Sequence, residues 1–291
     1  MAKSPPSPFS FVLIGAGRVG TAVAVLLQRA GHRPVGVSSR TKDSAQRASE
    51  RLDCPVFELD ASIDADVVLI GAPDGAIGEV AAGLRSGMSR GTTVVHFAGS
   101  LGLSVLESVV AAGGHAAALH PVQACPDVDT AIARLPGSAW GITCDEAIQP
   151  WARSVVTEDL DGHPVMVPED ARPLWHAAAV TTSNGIAALL ATGESLLDAI
   201  HIESPEGVLG PLASGTIQNA IEGGGGAATL TGPIIRGETE VVKRHLDAIA
   251  RAGVAAEPFL STARMIVAAA AATGRVSKDE KASWDELLER P

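Results

Sequence analysis

The sequence predicts an α/β fold, with a doubly wound parallel sheet in residues 1–167 and an all-helical domain in residues 168–291. Three observations support this prediction. Short apolar runs alternate with helical stretches up to residue 167, a glycine-rich G-x-G-x-x-G turn follows the first run, and no strand signal appears after Pro168. A chain of 291 residues is also long enough for about two domains.

Each predicted strand is an unbroken apolar run, as expected when helices cover both faces of a parallel sheet. Strands are predicted at residues 9–14, 34–38, 55–59, 66–70, 93–97, 116–120, 140–143 and 164–167. Helices between the strands indicate βαβ units, and the first two are predicted at residues 21–30 and 41–52. The second half predicts helices at residues 168–200, 211–221, 237–252 and 258–272, and a last helix that begins at the capping box Ser283-Trp-Asp-Glu286.

The composition restricts the chemistry. Tyrosine is absent and none of the five lysines lies in residues 43–242, so a tyrosine acid and a mid-chain lysine acid are excluded. Eight histidines are the leading proton carriers. The net charge of −11 argues against nucleic acid or an anionic membrane as a partner. Three cysteines without a C-x-x-C pattern fit free thiols in a reducing cytoplasm, and no metal site, signal peptide or membrane span is predicted.

The turn Gly15-Ala-Gly-Arg-Val-Gly20 is the strongest motif. It follows a predicted strand and opens a helix, which is the context in which such turns bind dinucleotides. Gly15 allows the tight turn, Gly17 lets the backbone approach a pyrophosphate, and Gly20 lets the helix pack closely on the strand. Free N–H groups and the helix dipole then face the anion. Arg18 and Val19 complete the predicted cradle, and the alternative is a glycine-rich turn without a ligand.

The end of the second predicted strand favours NADP over NAD. An NAD site places an acidic residue about 20 residues after the turn, where it binds the ribose 2′-hydroxyl. This sequence instead has Ser38-Ser39-Arg40-Thr41. Arg40 and neighbouring hydroxyls such as that of Ser39 are predicted to bind a 2′-phosphate by charge-assisted hydrogen bonds. The alternative is an exposed loop arginine.

The ends of the next strands are predicted to complete the ligand site, because ligands of such sheets lie beyond the carboxyl ends of the strands. Ala72 and Pro73 follow the fourth strand and are predicted to line the cofactor ribose, while Asp74 is predicted to cap the next helix. His120 ends the sixth strand just before a proline and is a candidate proton donor. Ser100 is a candidate for binding substrate, with a helix cap as the alternative.

Two other side chains after these strands have plain structural explanations. His96 ends the fifth strand, and a buried, hydrogen-bonded strand histidine is as good an interpretation as a functional one. Nothing around Cys125 suggests an activated thiolate, so a small buried residue is the preferred interpretation.

The long predicted helix carries a second group of candidates. Asn184-Gly185 is unusual inside an Ala-rich helix because both residues lower helix propensity, and broken local rules often mark functional positions. His176 lies on nearly the same helix face as Asn184. The alternatives are a kink or exposed polar residue for Asn184 and an interhelical contact for His176. Further on, Arg236 in Leu230-Thr-Gly-Pro-Ile-Ile-Arg-Gly is predicted to bind a substrate carboxylate, with a simple helix start as the alternative.

Taken together, these segments resemble Rossmann-like oxidoreductases with a C-terminal domain of unknown function 2520. This group is related to ketopantoate reductase, pyrroline-5-carboxylate reductase, the β-hydroxyacid dehydrogenases and the superfamily named for the C-terminal domain of 6-phosphogluconate dehydrogenase. The resemblance is carried by the glycine turn, Ala72-Pro-Asp74, His120-Pro-Val-Gln, Trp175-His-Ala-Ala-Ala-Val with Ser183-Asn184, and Leu230-Thr-Gly-Pro-Ile-Ile-Arg-Gly. It implies a Rossmann domain, a helical domain that forms a homodimer, and an active site in the cleft between the domains.

The resemblance also implies a difference from these relatives. In the hydroxyacid relatives a helix lysine precedes an asparagine by four residues; Asn184 matches the asparagine, but Val180 stands at the lysine position. His176, one turn earlier, is the titratable substitute on that face. The His120-Pro segment is also similar to one in prephenate dehydrogenases, where a histidine binds the reacting hydroxyl.

The sequence therefore predicts an NADP-dependent oxidoreductase that transfers hydride to or from a small keto- or imino-acid-like substrate. His120 or His176 is the predicted proton donor, Asn184 the residue that orients the substrate, and Arg236 the carboxylate ligand. One alternative is a nucleotide-binding sensor or partner protein that has lost catalysis, which the missing lysine fits. Another is an enzyme for a larger, cofactor-like substrate admitted by the loop at residues 223–226.

Overall fold

The computed structural model describes residue 5 and residues 7–58, 63–84 and 88–289. Seven strands form one sheet: β1 Ser10–Ile14, β2 Arg33–Ser38, β3 Val67–Ile70, β4 Thr93–His96, β5 His115–Pro121, β6 Ala139–Cys144 and β7 His163–Met166. Their order is β2-β1-β3-β4-β5-β6-β7. Every neighbouring pair is parallel except β5 and β6, which are antiparallel. The predicted doubly wound parallel sheet is confirmed, except that β6 runs antiparallel to β5.

The chain changes direction across the sheet between β1 and β3. It passes from β1 to β2 on one side and then returns to place β3 on the other side of β1. The carboxyl ends of β1 and β3 therefore form a topological switch point, the usual ligand position in such sheets.

The structure describes residues 55–58 of the predicted strand at residues 55–59, and no strand forms over them. Residue 59 lies outside the described residues. Val56 makes only an isolated bridge to Val37. Pro55 has no N–H to donate, and Val56 is 45 % exposed. An apolar run that gains so little burial stays an extended edge segment.

Helices cover both faces of the sheet. They are α1 Arg18–Arg29, α2 Lys42–Leu52, α3 Asp74–Leu84, α4 Glu107–Ala111, α5 Val128–Arg134 and α6 Gln149–Ser154. Successive side chains of a strand point to opposite faces, so Phe11 and Leu13 belong to one apolar cluster, while Val12 and Ile14 belong to the other. This double burial explains why the strands are unbroken apolar runs.

The remaining helices are α7 Arg172–Asp198, α8 Pro205–Glu222, α9 Gly226–Thr229, α10 Thr239–Ala252, α11 Glu257–Ala272 and α12 Lys278–Leu288. Two predicted starts are wrong. Helix α8 begins at Pro205, so Pro211 lies inside the helix rather than at its start. Pro205 occupies the first helical position, which is the one that favours proline. Helix α12 begins after Ser277, whose capping box is completed by Glu280, and Ser283 lies within the helix. Both sites match the capping-box pattern, and the earlier one starts the helix.

The chain divides into two compact units, Met1–Val180 and Thr181–Pro291, and the division falls within α7. The predicted boundary after residue 167 lies just before this helix and stays a prediction as a functional boundary. The second unit has its own apolar cluster, which includes Val242, Leu260 and Trp284. In the part of the chain that the structure describes, no helix combines the length and apolar character needed to cross a bilayer.

Candidate functional site

The glycine turn joins β1 to α1 at the switch point. Gly15 has a φ of +83°, in the left-handed region that favours glycine. Its N–H donates to the Ser38 carbonyl at 2.8 Å, which ties the turn to the end of β2. Helix α1 then starts after Gly17 without a side-chain cap. Its first N–H groups are therefore free of a capping side chain, as an anion site at a helix N-terminus requires.

The three motif glycines pack against the backbone at the end of β3. A Cβ on Gly17 would lie 2.4 Å from the Gly71 oxygen, one on Gly20 2.7 Å from the Gly71 Cα, and one on Gly15 2.6 Å from the Ala72 nitrogen. Gly71 itself has room for no Cβ, since one would lie 2.4 Å from the Gly15 oxygen. Sequence reasoning did not select Gly71, although a glycine directly after an apolar strand was the available signal.

A cavity of about 530 Å³ opens beside this turn. This volume lies within the range of small-molecule sites. The predicted cofactor residues that line it are Gly15, Gly17, Ser39, Arg40, Ala72 and Pro73. The structure thus brings together the ends of β1, β2 and β3 around one cavity.

Three predicted residues near this turn are not in the cavity wall. Gly20 packs on Gly71, Val19 packs on the core, and the Arg18 guanidinium donates to the Pro126 carbonyl at 3.1 Å. Asp74 is the first residue of α3 rather than a residue before it. Its negative charge there still stabilises the helix, because it lies at the positive end of the helix dipole.

A chain of hydroxyls forms the wall of the cavity at the end of β2. Ser39 Oγ accepts from the Ala16 N–H at 3.3 Å and lies 2.9 Å from Ser44 Oγ. Ser44 Oγ lies 2.6 Å from Thr41 Oγ1. Arg40 is exposed and makes no hydrogen bond or ion pair with the described residues. Arg40 adds a positive charge to the lining of the cavity. Two carboxylates, those of Glu58 and Glu79, line the same cavity.

A second cluster of functional groups lies where β4 and β5 end, at the same sheet edge as the cavity. Trp175 Nε1 donates to His120 Nδ1 at 3.0 Å. The rings of His120 and His176 are perpendicular, with centroids 5.3 Å apart. We call His120 and His176 the histidine pair. His176 Nδ1 is buried and has no hydrogen-bond partner among the described residues.

Two glycines make room for the histidine pair and the indole. A Cβ on Gly99 would lie 2.1 Å from His176 Nδ1 and 2.8 Å from His120 Nε2. A Cβ on Gly141 would lie 2.6 Å from both Cε2 and Nε1 of Trp175. Gly141 faces His120 directly across the β5–β6 pair. Sequence reasoning found both histidines but neither glycine.

His120 is a neutral imidazole at physiological pH. Burial, and then the neighbouring His176, Arg172 and His96 in that order, together lower its pKa to about 4. The predicted proton donor can therefore donate a hydrogen bond through an N–H but carries no imidazolium near pH 7.

His96 is the buried, satisfied histidine that the sequence left as one of two interpretations. It is fully buried; its Nε2 lies 3.0 Å from the Gly102 carbonyl, and its Nδ1 accepts from the Ala98 N–H at 3.2 Å. Burial lowers its pKa to about 4, so it is neutral. Its two bonds fix the loop that carries Gly99.

Arg172, at the start of α7, is the main structural residue that sequence reasoning missed. It is fully buried, and its Nη1 donates to the Gly141 carbonyl at 3.1 Å, while its Nη2 donates to the Ala98 carbonyl. Burial lowers its pKa to about 10, opposed by Glu169. An arginine in the first turn of a helix opposes the helix dipole, and that was the available signal.

The surroundings of the other candidates from the sequence are as follows. Ser100 follows Gly99 in the loop after β4 and is half-buried. Asn184 is exposed within the uninterrupted helix α7. Arg236 makes a two-pronged ion pair with Glu238, with both bonds 2.9 Å long. Burial raises the pKa of the Cys125 thiol, which disfavours a thiolate.

Comparison with known proteins agrees with this architecture. A Rossmann-like domain model matches residues 4–121, and the domain of unknown function DUF2520 matches residues 138–266. The chain carries both domains. The resemblance drawn from the sequence motifs is thereby confirmed. No curated protein matches the chain.

Several solved structures share the fold over nearly the whole length of this chain. One is a candidate NADP oxidoreductase from Bacteroides fragilis, with 23 % identity, a TM-score of 0.70, and coverage of 97 % of this chain and 98 % of that one. Another is a reductive aminase from Aspergillus terreus in complex with NADPH and ethyl-5-oxohexanoate, with 19 % identity, a TM-score of 0.69 and coverage of 96 % and 99 %. A pyrroline-5-carboxylate reductase from Coxiella burnetii has 15 % identity, a TM-score of 0.59 and coverage of 97 % and 100 %.

Proposed function

We propose that the protein is an NADP-dependent oxidoreductase that transfers hydride to or from a small keto- or imino-acid-like substrate. One observation carries the proposal: the cavity at the switch point joins a glycine cradle to a wall of hydroxyls and an exposed arginine, Arg40. We also propose a reducing cytoplasm as its location, which the three free cysteines Cys54, Cys125 and Cys144 support.

The cradle fits a dinucleotide on two counts. A Cβ on Gly15 or Gly17 would meet backbone atoms of the facing strand end, so this part of the wall is bare backbone, which a pyrophosphate can approach closely. Arg40, Ser39, Thr41 and Ser44 line the end of the cavity near β2, where they would bind a 2′-phosphate. When bound, NADP supplies or accepts the hydride.

On the substrate side, His120 is proposed to donate a hydrogen bond from its Nε2–H to the oxygen or nitrogen of the reacting group. A neutral imidazole with a strongly lowered pKa can polarise a carbonyl in this way. His176, Asn184 and Ser100 remain proposed substrate contacts. Arg236 would bind a carboxylate only by exchanging its present partner, Glu238.

The fold neighbours support this choice of substrate class. The reductive aminase from Aspergillus terreus was solved with NADPH and a keto ester, and the Coxiella burnetii protein is named a pyrroline-5-carboxylate reductase. Both names describe reduction at a carbon doubly bonded to oxygen or nitrogen. We therefore place keto acids and cyclic imino acids first among candidate substrates.

Cofactor preference is the first test. We expect NADPH to bind about 10- to 100-fold more tightly than NADH, because charge-assisted bonds to the 2′-phosphate add about 1.5–3 kcal/mol. Arg40→Ala should remove most of this preference in a fluorescence titration. Arg33→Ala is the matched control, since Arg33 is exposed at the opposite end of β2. Equal affinities for the two cofactors in the wild type would contradict the proposal.

A catalytically inactive NADP-binding sensor is the second candidate. It is favoured by the engagement of Arg236 with Glu238 and by the absence of lysine between residues 43 and 242. A panel of keto acids, with and without amines, and of cyclic imines separates the two functions. NADPH oxidation with any of them supports the enzyme, whereas tight NADPH binding without turnover over the whole panel supports the sensor.

We further propose that a second copy of the chain covers helices α7 and α8. Apart from Arg172, none of the residues of these two helices is buried. Large apolar side chains on them are exposed, and they include Leu174 at 76 %, Leu212 at 66 % and Ile221 at 72 %. Exposed apolar side chains on two helices this long are typical of a subunit interface.

The homodimer is tested by light scattering after size exclusion. The wild type should elute as a dimer, and the double variant Leu212→Asp/Ile221→Asp as a folded monomer. Val110→Asp is the control, because Val110 is 47 % exposed and belongs to α4, which is neither of the two helices. A wild-type monomer at micromolar concentration would rule out a stable dimer.

A further inference from the structure

The contact between Trp175 and His120 depends on a position where no side chain is tolerated. The indole lies against the Cα of Gly141, where a Cβ would come within 2.6 Å of Nε1. Gly141 stands opposite His120 in the antiparallel β5–β6 pair. The indole of Trp175 therefore passes over β6 at Gly141, the residue that pairs with His120. From this position its N–H donates to His120 Nδ1 at 3.0 Å.

The chemistry of the two rings fixes where the proton of His120 lies. An indole N–H can only donate, so His120 Nδ1 must accept. The single proton of the neutral imidazole is then on Nε2. Protonation of His120 would place a second N–H on Nδ1, directly opposite the indole N–H, where neither group can accept.

We propose that Trp175 is a positioning residue that holds His120 as the neutral Nε2–H tautomer and opposes its protonation, and that Gly141 is the residue that admits the indole. The role of this tautomer in turnover rests on the proposed oxidoreductase function. The tautomer itself does not, since it follows from the contact between the two side chains.

Other charged or titratable groups face His120 as well. His176 and Arg172 approach from α7, and His96 from β4. A positive charge on any of them disfavours an imidazolium at His120 whichever nitrogen bears the proton. Among the residues that the structure describes, only Trp175 bonds Nδ1 directly, so it is the one that distinguishes the two nitrogens. A measurement on Nδ1 therefore isolates its contribution.

The consequence is a donor that works over a wide pH range. His120 Nε2 has no hydrogen-bond partner among the described residues, and unlike His176 Nδ1 it is not sealed from solvent. This nitrogen lies beside Gly99, where a Cβ would come within 2.8 Å of it. A substrate oxygen or nitrogen that reaches Nε2 would meet a hydrogen-bond donor whose direction is set before binding.

The test is an NMR titration of the histidine side chains in the full-length protein labelled with nitrogen-15, without cofactor or substrate. In the wild type, His120 should show a proton on Nε2 and a hydrogen-bonded, unprotonated Nδ1. Trp175→Phe removes the donor and keeps an aromatic ring. We expect the His120 pKa to rise by about one unit in this variant, since one hydrogen bond is lost, with the Nδ1 shift moving to that of a free acceptor.

Gly141→Ala gives an independent second variant. Its Cβ must displace the indole, so it should raise the His120 pKa as Trp175→Phe does. Gly162→Ala is the matched control for strain, because its Cβ would lie 2.5 Å from Nε1 of another indole, Trp140, and that Nε1 donates no hydrogen bond to a described residue. It should leave the His120 pKa unchanged.

The outcomes separate this inference from the proposed function. An unchanged His120 pKa and Nδ1 shift in both Trp175→Phe and Gly141→Ala would overturn the positioning role, even if the protein proves to be an oxidoreductase. A raised pKa in both, without one in Gly162→Ala, supports it even if no substrate is ever turned over. If turnover is found, Trp175→Phe should also shift the acid limb of the pH profile of kcat/KM upward by the same amount.

Discussion

Two sites at one edge of the sheet are built on glycines, and they use them differently. In the glycine turn, Gly15, Gly17 and Gly20 lie against the backbone of Gly71 and Ala72. In the histidine pair, Gly99 lies against two imidazoles, and Gly141 against an indole. The first set of glycines brings two pieces of main chain together and leaves a wall of bare backbone. The second set makes room for side chains that carry the polar chemistry.

The difference teaches what each site can tolerate. A substitution in the turn meets main chain, which cannot move without moving a strand. A substitution beneath the histidine pair meets rings, which can turn aside at the expense of their hydrogen bonds. The turn should therefore fail by losing stability and cofactor binding, whereas the histidine pair should fail by losing function with the fold intact.

The largest expected effect is that of His120→Ala. We expect turnover of the identified substrate to fall by about 10²- to 10⁴-fold, which is the usual contribution of a positioned acid or base, while NADPH affinity stays unchanged. Steady-state kinetics and a binding titration measure the two quantities. His115→Ala is the control, since His115 is at the other end of β5 and faces Asp145. Full turnover without His120 would move the chemistry away from the histidine pair.

Next in size is Gly17→Ala in the turn. The backbone of Gly17 has a φ of −73°, which alanine accepts, so the cost comes only from the contact with the Gly71 oxygen. We expect a loss of about 1–3 kcal/mol in the free energy of unfolding, together with weaker NADPH binding. Urea denaturation is the measurement. Gly75→Ala, whose Cβ meets nothing within 4 Å, should be neutral or slightly stabilising, and similar losses in both variants would contradict this account.

Acid should act on the histidine region and not on the turn. His96 and His120 have pKa values of about 4 in the folded protein, against 6.5 for an ordinary histidine. Between these values the unfolded chain binds more protons than the folded one, so stability falls as the pH falls. Each histidine should remove about 2 kcal/mol from the free energy of unfolding between pH 7 and pH 5.

Denaturation of wild type and His96→Gln at both pH values checks this prediction. The variant is expected to be less stable at pH 7 because the two bonds of His96 are disturbed. It should nevertheless lose about 2 kcal/mol less than the wild type on acidification, since it lacks one of the two histidines. An equal acid loss in both proteins would show that His96 is not held neutral by the fold.

The smallest effect is expected for Glu169→Gln. The Glu169 carboxylate accepts from the N–H groups of Leu103 and Ser104 at 2.9 and 3.0 Å, at the far end of the loop that carries Gly99. These bonds are exposed, so the loss in stability should be about 0.5–1 kcal/mol. Asp170→Asn, one residue along and also exposed, is the control. A loss as large as that of Gly17→Ala would mean that the loop is held mainly by this carboxylate.

Local sequence predicted one of the two sites much better than the other. The glycine turn, its strand and its helix are contiguous, so spacing alone locates them, and the apolar runs located seven strands for the same reason. At the misplaced starts Pro211 and Ser283 two local signals competed, and the earlier one began the helix. The predicted strand at residues 55–59 failed for a different reason, since its described part gains little burial.

The histidine pair could be found only in part. His120 and His176 stood out because titratable residues are few at strand ends and inside an Ala-rich helix. Their partners did not, because Gly99, Gly141 and Arg172 act through contacts between residues far apart in the chain. No spacing rule connects a glycine on β6 with an indole on α7, so this part of the site needs the three-dimensional structure.

The closeness of Gly141 and Trp175 has an evolutionary consequence. A chain that keeps the indole cannot accept any side chain at position 141, whereas a chain that loses the indole is free to accept one. The two positions should therefore change together when related sequences are aligned, and so should position 99 with the two histidines. Such covariation would identify other chains with this arrangement even where no short motif survives.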